Sequence, residues 1–282
     1  MYKLVDIDFS ETGLNKICNL VNYASGNHAL SVSYLRWLYL ENPLGTVVGF
    51  NAILDDRLVA HYATIPVRAM IHGIVTTGLL SVNTATHPLH VGKGLFIKLA
   101  KKTYDLASER GFTYVVGVAN DNSIHGFINK LDFQSLGRLE TRFIVGPINY
   151  FEKISSIDFV PINDSRNLIW RLSNPKSNYF ILNKKQSTLI FGKSRNFQVL
   201  LYEGDKNLVP WIRSALPIRN KINPIKMWLG LDSRIDWNRT LNVQVSDRFK
   251  ATSLNLIFRD LKSWGRIDDA MLSFWGIDFD SY

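Results

Sequence analysis

Residues 81–96 constrain the fold of this 282-residue chain most. They read as a strand that leads through a glycine-containing loop into a helix. Their sequence is Ser-Val-Asn-Thr-Ala-Thr-His-Pro-Leu-His-Val-Gly-Lys-Gly-Leu-Phe. Such a loop leaves backbone N–H groups free at the positive end of the helix dipole, which suits a phosphate or pyrophosphate. Gly92 and Gly94 let phosphate oxygens approach the backbone closely, although a plain turn also explains the two glycines. The segment has neither the GxxxxGK[ST] pattern of a P-loop nor the GxGxxG pattern of a dinucleotide site.

The spacing of apolar residues around this segment predicts a mixed α/β domain. One helix begins after Ser10, a second covers about 31–41, and Asn42-Pro43 ends the second one. The other predicted elements are strands at 46–54, 57–71 and 76–86, a helix that ends near Gly111, a strand at 112–119, a short helix at 121–131, and one or two strands between 133 and 144. We expect an α/β fold with a mixed sheet.

Charge is distributed unevenly along the chain. Residues 1–147 carry a net charge of +2 and residues 148–282 one of +7, within a total of +9. A basic half is typical of proteins that bind nucleic acid, an anionic membrane or a phosphorylated small molecule. Because the basic residues are scattered rather than clustered in a tail, the pattern favours the small molecule.

Composition and cysteine content exclude several classes of protein. With 46% hydrophobic and 20% charged residues, the chain has ordinary globular composition. No apolar run approaches the roughly 20 residues of a membrane span, and the first residues lack the apolar stretch of a signal peptide, so we expect a cytoplasmic protein. Cys18 is the only cysteine, which excludes an internal disulfide and a cysteine metal cluster. His87 and His90 have no visible third ligand, so no metal site is predicted.

The second half of the chain partly repeats the first. The first half contains Leu35-Arg36-Trp37 followed by Asn42-Pro43, and the second half contains the similar Leu168-Ile169-Trp170 followed by Asn174-Pro175. We call this similarity the sequence echo; a predicted strand follows each segment. An internal duplication explains the echo, and so does the common order helix, Asn-Pro, strand. The predicted domains are 1–147, a connection at 148–165, and a basic α/β lobe at 166–282 that is a possible repeat and binds the acceptor.

The order of elements in the first half resembles the GNAT superfamily of acyl-CoA N-acyltransferases over about residues 2–145. The family's loop, Arg/Gln-x-x-Gly-x-Gly/Ala, corresponds to residues 91–96, where Val91 replaces the Arg/Gln, Gly94 is kept and Phe96 replaces the last small residue. His87-Pro88 is similar to a frequent lead-in of the family. Asn120-Asp121-Asn122-Ser123 resembles the Asn-x-x-Ser that follows the next strand.

More narrowly, the chain resembles the dTDP-3-amino-3,6-dideoxyhexose N-acyltransferases. This likeness rests on four features: the segment from Trp37 to Asn42-Pro43, the Thr86-His87-Pro88 segment before the loop, the bulky Phe96, and a second lobe of similar size. The resemblance implies transfer of an acyl group from acyl-CoA to the amine of a nucleotide-linked amino deoxysugar, in polysaccharide biosynthesis, without a metal. The implied partners are the acyl-CoA and the nucleotide sugar, with neither nucleic acid nor a membrane span.

The resemblance also implies which residues contact the acyl-CoA. Backbone groups of the strand end pair with the pantetheine, amides of the loop hold the pyrophosphate, and one amide stabilises the oxyanion. The implied cofactor-binding residues are Thr84, Ala85, Thr86, Val91, Gly92, Lys93, Gly94, Leu95, Phe96, Asn120 and Ser123. A role as helix N-cap explains Ser123 equally well.

The reaction needs a group that removes a proton, because an amine that is protonated at neutral pH must lose a proton before it attacks. Relatives often carry a carboxylate on the central strand, yet residues 76–86 contain no Asp or Glu. Ile128 stands where many relatives have a Tyr that protonates the thiolate. The predicted catalytic residues are His61 and Asn83, and His28 is predicted to bind the acceptor; a structural, hydrogen-bonded role is the alternative for each.

Two other functions remain open. One is an aminoacyl-tRNA-dependent transferase with tandem GNAT-like lobes, which the basic second half suits, although no heptads of a coiled-coil arm are present. The other is a non-catalytic module that binds nucleic acid or a partner, which the missing carboxylate and Ile128 favour. Affinity for coenzyme A separates the transferase from both.

Overall fold

The computed structural model describes residues 1–26, 30–152, 156–185, 187–194, 197–205, 216–217, 223–246 and 253–279. These residues form helices and two eight-stranded sheets. The helices are α1 (Glu11–Ser25), α2 (Val32–Leu40), α3 (Leu95–Glu109), α4 (Asp121–Lys130) and α5 (Ser165–Leu172). The first sheet contains β1 (Lys3–Asp6), β2 (Val48–Leu54), β3 (Arg57–Ile71), β4 (Ile74–Thr86), β5 (Tyr114–Ala119), β6 (Gln134–Arg138), β8 (Phe159–Pro161) and β15 (Asn255–Asp260). The second contains β7 (Glu140–Val145), β9 (Phe180–Asn183), β10 (Ser187–Ser194), β11 (Phe197–Asp205), β12 (Leu216–Pro217), β13 (Ile225–Asp232), β14 (Asn242–Gln244) and β16 (Ser273–Trp275).

The first two helices begin and end at residues whose chemistry suits those places. The Ser10 side chain accepts a hydrogen bond from the amide of Gly13, and Ser31 accepts one from the amide of Tyr34, so each helix has a serine N-cap. Gly26 ends α1 in the left-handed conformation that glycine adopts without strain. The start of α1 and both ends of α2 were predicted from the sequence within two residues of these bounds, whereas no end was predicted for α1.

Helices cover the first sheet on both faces. Apolar residues of α1 and α2, among them Leu14 and Leu35, form one buried cluster with β3, β5 and β15. On the other face, Leu99 and Phe127 of α3 and α4 form a second cluster with β2 and β3. The sheet is therefore a central layer, and its strand ends reach the surface beside the helix termini.

The two sheets share one connectivity over six of their strands and differ at one edge, where β1 is antiparallel to β2 but β12 is parallel to β9. The first has the order β1-β2-β3-β4-β5-β15-β6, and the second the order β12-β9-β10-β11-β13-β7-β14. In both, three successive antiparallel strands lead to one parallel pair, which is β4–β5 in the first sheet and β11–β13 in the second. The next position is taken by an antiparallel strand from the other half of the chain, β15 in the first sheet and β7 in the second.

The mixed α/β fold with two lobes is confirmed, but the sheets divide the chain differently from the predicted domains. Strand β7 precedes residue 147 and lies in the second sheet. Strand β15 belongs to the predicted second lobe and lies between β5 and β6 of the first sheet. A boundary at 147 therefore separates each sheet from one of its inner strands. None of the helices in the described ranges combines the length and apolarity that a membrane span needs.

Candidate active site

Strands β4 and β5 separate at their carboxyl ends. They pair in parallel from Leu79↔Val115 to Ser81↔Gly117, and beyond these residues the described chain shows no pairing between them. Strand β4 continues to Thr86 and β5 to Ala119, so the two strands open a cleft. The carboxyl ends of neighbouring parallel strands are a usual place for ligands in α/β proteins.

A bulge in β4 lies at the edge of this cleft. The register with β3 shifts between His61↔Ala85 and Ala63↔Val82, so that two residues of β4 lie opposite one residue of β3. Asn83, at the bulge, has a φ of 47°, a left-handed conformation that asparagine tolerates better than most residues. Thr84 is exposed, Ala85 is buried, and Asn83 and Thr86 are partly buried.

The glycine loop leads directly from β4 to α3. Gly92 and Gly94 have φ values of 79° and 70°, and a Cβ added to either would meet no atom within 4 Å. Gly94 is the N-cap of α3 and offers no side-chain acceptor, so the first amides of the helix lack a side-chain cap. Residues 91–94 are exposed, whereas the side chains of Leu95 and Phe96 pack into the core beside α4.

Asn120 and Ser123 lie at the start of α4, on the β5 side of the cleft. The Asn120 side chain accepts hydrogen bonds from the amides of Asn122 and Ser123, both at 3.1 Å. The Ser123 hydroxyl in turn donates to Asn120 Oδ1 at 3.1 Å. Asn120 is thus the helix N-cap, and contact of these residues with acyl-CoA stays a prediction.

A chain of buried polar side chains leads inward from the bulge. Asn83 Nδ2 donates to Tyr39 Oη at 3.1 Å, and Tyr39 Oη lies 2.8 Å from His61 Nε2. Nδ1 of His61 lies 2.7 Å from Oδ1 of Asn51. Since Tyr39 accepts from Asn83, its own proton is free for Nε2, and the ring proton of His61 sits on Nδ1 and is donated to Asn51. Each of the four side chains thus has at least one hydrogen-bond partner.

The environment of His61 makes it a weak base. Its residue is 1% exposed, and burial lowers the pKa of the imidazole to about 3. Burial also raises the pKa of the Tyr39 hydroxyl, so both groups are neutral near pH 7. The sequence predicts a catalytic role for His61; in the structure its ring is linked to the bulge through Tyr39 and Asn83. This geometry suits a residue that orients Asn83.

The other histidines near the cleft have structural contacts. His87 Nδ1 accepts a hydrogen bond from the amide of Leu89 at 3.3 Å, which steadies the turn before the glycine loop. His90 Nδ1 lies 2.9 Å from the Tyr2 hydroxyl. His28 lies outside the described residues. Within the described ranges, no three or more His, Cys, Asp or Glu side chains are grouped as metal ligands would be.

A pocket of about 440 Å³ lies beside His87, the residue that follows β4, and the sequence did not predict it. Helix α1 forms one wall, the β2–β3 turn a second, and His87 closes the end beside β4. The lining residues are Lys16, Asn19, Leu20, Tyr23, Asp56, Arg57, Leu58 and His87. The Tyr23 ring stacks on the His87 ring with centroids 5.1 Å apart, which gives the pocket a flat aromatic side. The helical spacing of Lys16, Asn19 and Tyr23 was the only signal in the sequence.

Comparisons with known proteins agree with this geometry. Residues 8–134 match the family model of the acetyltransferase (GNAT) domain. A conserved protein of Enterococcus faecalis V583, a probable N-acyltransferase, superposes with a TM-score of 0.63 at 10% identity, over 93% of this chain and 73% of that one. A GCN5-related N-acetyltransferase of Anabaena variabilis ATCC 29413 gives 0.61 at 14% identity with the same coverage. No curated protein matches the chain by sequence.

A third structure, a GCN5-related N-acetyltransferase of Kribbella flavida, has a TM-score of 0.58 at 9% identity, over 92% of this chain and 71% of that one. At such low identities the three structures establish the fold and not the substrate. The family match covers β2 to β5 with α3, which are the elements that build the cleft, the bulge and the glycine loop. The match to the acetyltransferase (GNAT) domain model thus falls on the part of the chain that forms the cleft.

Proposed function

We propose that the chain transfers an acyl group from acyl-CoA to an amine at the bulge of β4. The observation that carries this proposal is the separation of β4 and β5 after Ser81↔Gly117, with no described strand between them. Residues 84–86 do not pair with β5. Their backbone groups on that edge suit an extended pantetheine, which would bind there in the way an added strand binds to a sheet. The uncapped amides at the start of α3 suit its pyrophosphate.

The proposed reaction requires little acid–base chemistry from the side chains. The amine attacks the thioester carbon, a C–N bond forms, and the C–S bond breaks to release coenzyme A as a thiolate. A backbone amide near the bulge stabilises the oxyanion, and a thiolate leaves without a strong acid. Asn83, held by Tyr39 and His61, orients the amine or a water that takes its proton.

For the acceptor, we propose an amine on a nucleotide-linked deoxysugar. Lys16 and Arg57 supply positive charge in the pocket beside His87, and the Tyr23 ring offers a surface on which a base can stack. His87 is four residues from Asn83, so about 13 Å of extended chain separates this pocket from the bulge. An acceptor that carries its amine at one end and a diphosphate at the other suits such a separation.

The donor half of the proposal is tested by calorimetry of the whole protein with acetyl-CoA and with coenzyme A. Gly94→Ala places a methyl group where the pyrophosphate is proposed to bind, and we expect at least tenfold weaker binding. Gly73→Ala is the matched control, since Gly73 also has a positive φ of 80° and open surroundings but lies at the β3–β4 turn. No binding by the unmodified protein contradicts the proposal and favours charged tRNA or a non-catalytic role.

The acceptor half is tested by an acyl-transfer assay that compares a dTDP-linked amino sugar with the same free amino sugar. We expect transfer to the nucleotide-linked acceptor, with a KM that rises at least fivefold in Arg57→Gln. Lys101→Gln, on the exposed face of α3 away from the pocket lining, is the control. Equal rates with both acceptors would contradict the proposal that the acceptor carries a nucleotide, but not the proposal of acyl transfer.

A further inference from the structure

The second sheet has a cleft of the same kind as the first. Strands β11 and β13 pair in parallel at Val199↔Met227 and Leu200↔Trp228, and β11 then continues to Asp205 and β13 to Asp232. The register between β10 and β11 shifts between Ile190 and Phe191, which places a bulge at Leu201. The parallel pair, the divergence and the bulge thus recur in the order seen at β4 and β5.

The chain's own C-terminal segment lies in this second cleft. Gly230 of β13 pairs with Glu140 of β7 on one edge and with Trp275 of β16 on the other. Because a strand has only two edges, β16 occupies the edge of β13 that faces β11, immediately beyond the point where β11 leaves it. The turn Gly276–Asp278 that follows β16 contacts both β11 and β13.

Buried polar contacts fix β16 to β13. The Trp275 indole donates to Asp232 Oδ2 at 2.6 Å, and the Ser273 hydroxyl donates to the same oxygen at 2.9 Å. The Asp232 side chain is fully buried and forms an ion pair with Arg234 at 2.6 Å. Loss of one partner would leave polar atoms unpaired in the interior, so the contacts disfavour release of the segment.

The tip of the segment reaches the bulge of β11. Ile277 lies in one buried apolar cluster with Leu201 and Val199. Asp278 accepts a hydrogen bond from the amide of Trp275 at 2.7 Å, which closes the turn. At the corresponding place in the first cleft, Thr84 is exposed.

The sequence that joins the parallel strands also differs between the halves. Residues 87–113, between β4 and β5, include Gly92 and Gly94, whereas residues 206–224, between β11 and β13, contain no glycine. A close approach of phosphate oxygens to the backbone is easiest at glycine, so the second connection is less suited to a pyrophosphate.

We infer that residues 273–278 occupy the second cleft in the place of an acyl-CoA, so that each chain binds one acyl-CoA, in the first cleft. The number of donor sites rests on the proposed function, whereas the occupation of the second cleft rests on strand pairing. Trp275 and Ile277 are the residues that close it.

Calorimetry with coenzyme A and hydrogen exchange read by mass spectrometry test the inference on the full chain. We expect one coenzyme A per chain, new protection at residues 82–96 and unchanged exchange at 200–205 and 230–232. Binding should weaken at least tenfold in Gly94→Ala and be unchanged in Gly73→Ala. Two molecules per chain, or new protection at 200–205 and 230–232, would overturn the inference.

Exchange in the ligand-free protein separates this inference from the proposed function. Slow exchange at residues 230–232 and 273–275 supports occupation of the second cleft, and fast exchange there overturns it, whether or not coenzyme A binds. If coenzyme A binds nowhere while these residues exchange slowly, the proposed function fails and the closed second cleft stands.

Discussion

The indoles of Trp37 and Trp170 stack with ring centroids 4.8 Å apart, and each donates its Nε1–H to the backbone carbonyl of the other residue, at 2.8 and 3.1 Å. The two residues hold the same place in the sequence echo, on α2 and α5. Reciprocal bonds of this kind are what an approximate twofold axis between two repeats produces.

The turns after the two helices are also alike. Asn42 accepts a hydrogen bond from the amide of Leu44, and Asn174 accepts one from the amide of Lys176, both at 2.9 Å. Both asparagines are buried. Together with the shared connectivity of the sheets, these contacts favour the duplication over the interpretation that helix, Asn-Pro, strand is only a common order.

Replacement of either stacked tryptophan by phenylalanine should destabilise the protein. Trp37→Phe and Trp170→Phe each remove one buried hydrogen bond between the repeats, which costs about 0.5–1.5 kcal/mol. The carbonyl that loses this bond keeps a partner in its own half, Ser173 for Trp170 and Glu41 for Trp37. The double variant should reveal a coupling of at least about 0.5 kcal/mol in urea unfolding. Trp264→Phe is the control, because the buried Trp264 Nε1 has no partner in the described structure. Additive losses would contradict the reciprocal contact.

The buried His61 should make stability depend on pH. Its pKa falls from 6.5 in the unfolded chain to about 3 in the folded protein, so below pH 6.5 the unfolded chain binds the additional proton. The contribution is complete above pH 6.5 and is lost as the pH falls toward 3, at about 1.4 kcal/mol per pH unit. We expect about 2 kcal/mol of loss from this group between pH 7 and pH 5.

His61→Gln should abolish that part of the pH dependence while the other five histidines remain. The measurement is the free energy of unfolding in urea at pH 7, 6 and 5 for both proteins. Parallel curves would show that the His61 imidazole is not held in the neutral form.

The bulge in β4 should tolerate glycine and reject a β-branched residue. Asn83→Gly keeps the positive φ of 47° accessible, whereas Asn83→Val forces a branched side chain into that region and should cost about 1–2 kcal/mol more. Thermal unfolding of both variants measures the difference. If Asn83 orients the amine, Asn83→Gly lowers kcat with little change in melting temperature, and an unchanged kcat would assign Asn83 a structural role only.

The two halves should not fold separately. A fragment of residues 1–147 lacks β15, and a fragment of residues 148–282 lacks β7, so each sheet loses an inner strand. We expect neither fragment alone to unfold cooperatively in urea, and an equimolar mixture to regain a cooperative transition. Cooperative unfolding of fragment 1–147 by itself would support the domain boundary predicted from the sequence.

The elements of the first half could be predicted from the sequence because their signals are local. Helix α2 follows from its apolar face and the Asn-Pro stop, and the β2–β3 hairpin follows from Asp55-Asp56 between two apolar runs. The positions of the glycine loop and of strand β4 along the chain were also predicted correctly. The resemblance then ordered these elements into one fold.

What could not be predicted depends on contacts between distant residues. Asn255–Asp260 has the composition of a strand, but no local signal shows that its partners are β5 and β6. The burial of His61 involves contacts with Tyr39 of α2 and Asn51 of β2, so its sequence neighbours do not reveal that it is a weak base. The pocket beside His87 likewise requires α1 and the β2–β3 turn to meet.

The position of β15 has a consequence for synthesis on the ribosome. An inner strand of the first sheet is made only after more than 250 residues have been translated. Until then β5 pairs with β4 on one edge but has no partner on the other, and β6 lacks its partner β15. Contacts of such wide sequence separation slow folding. The nascent chain therefore exposes two sheet edges late into translation, and we expect general chaperones to matter more for this protein than for a domain whose strands pair in order of synthesis.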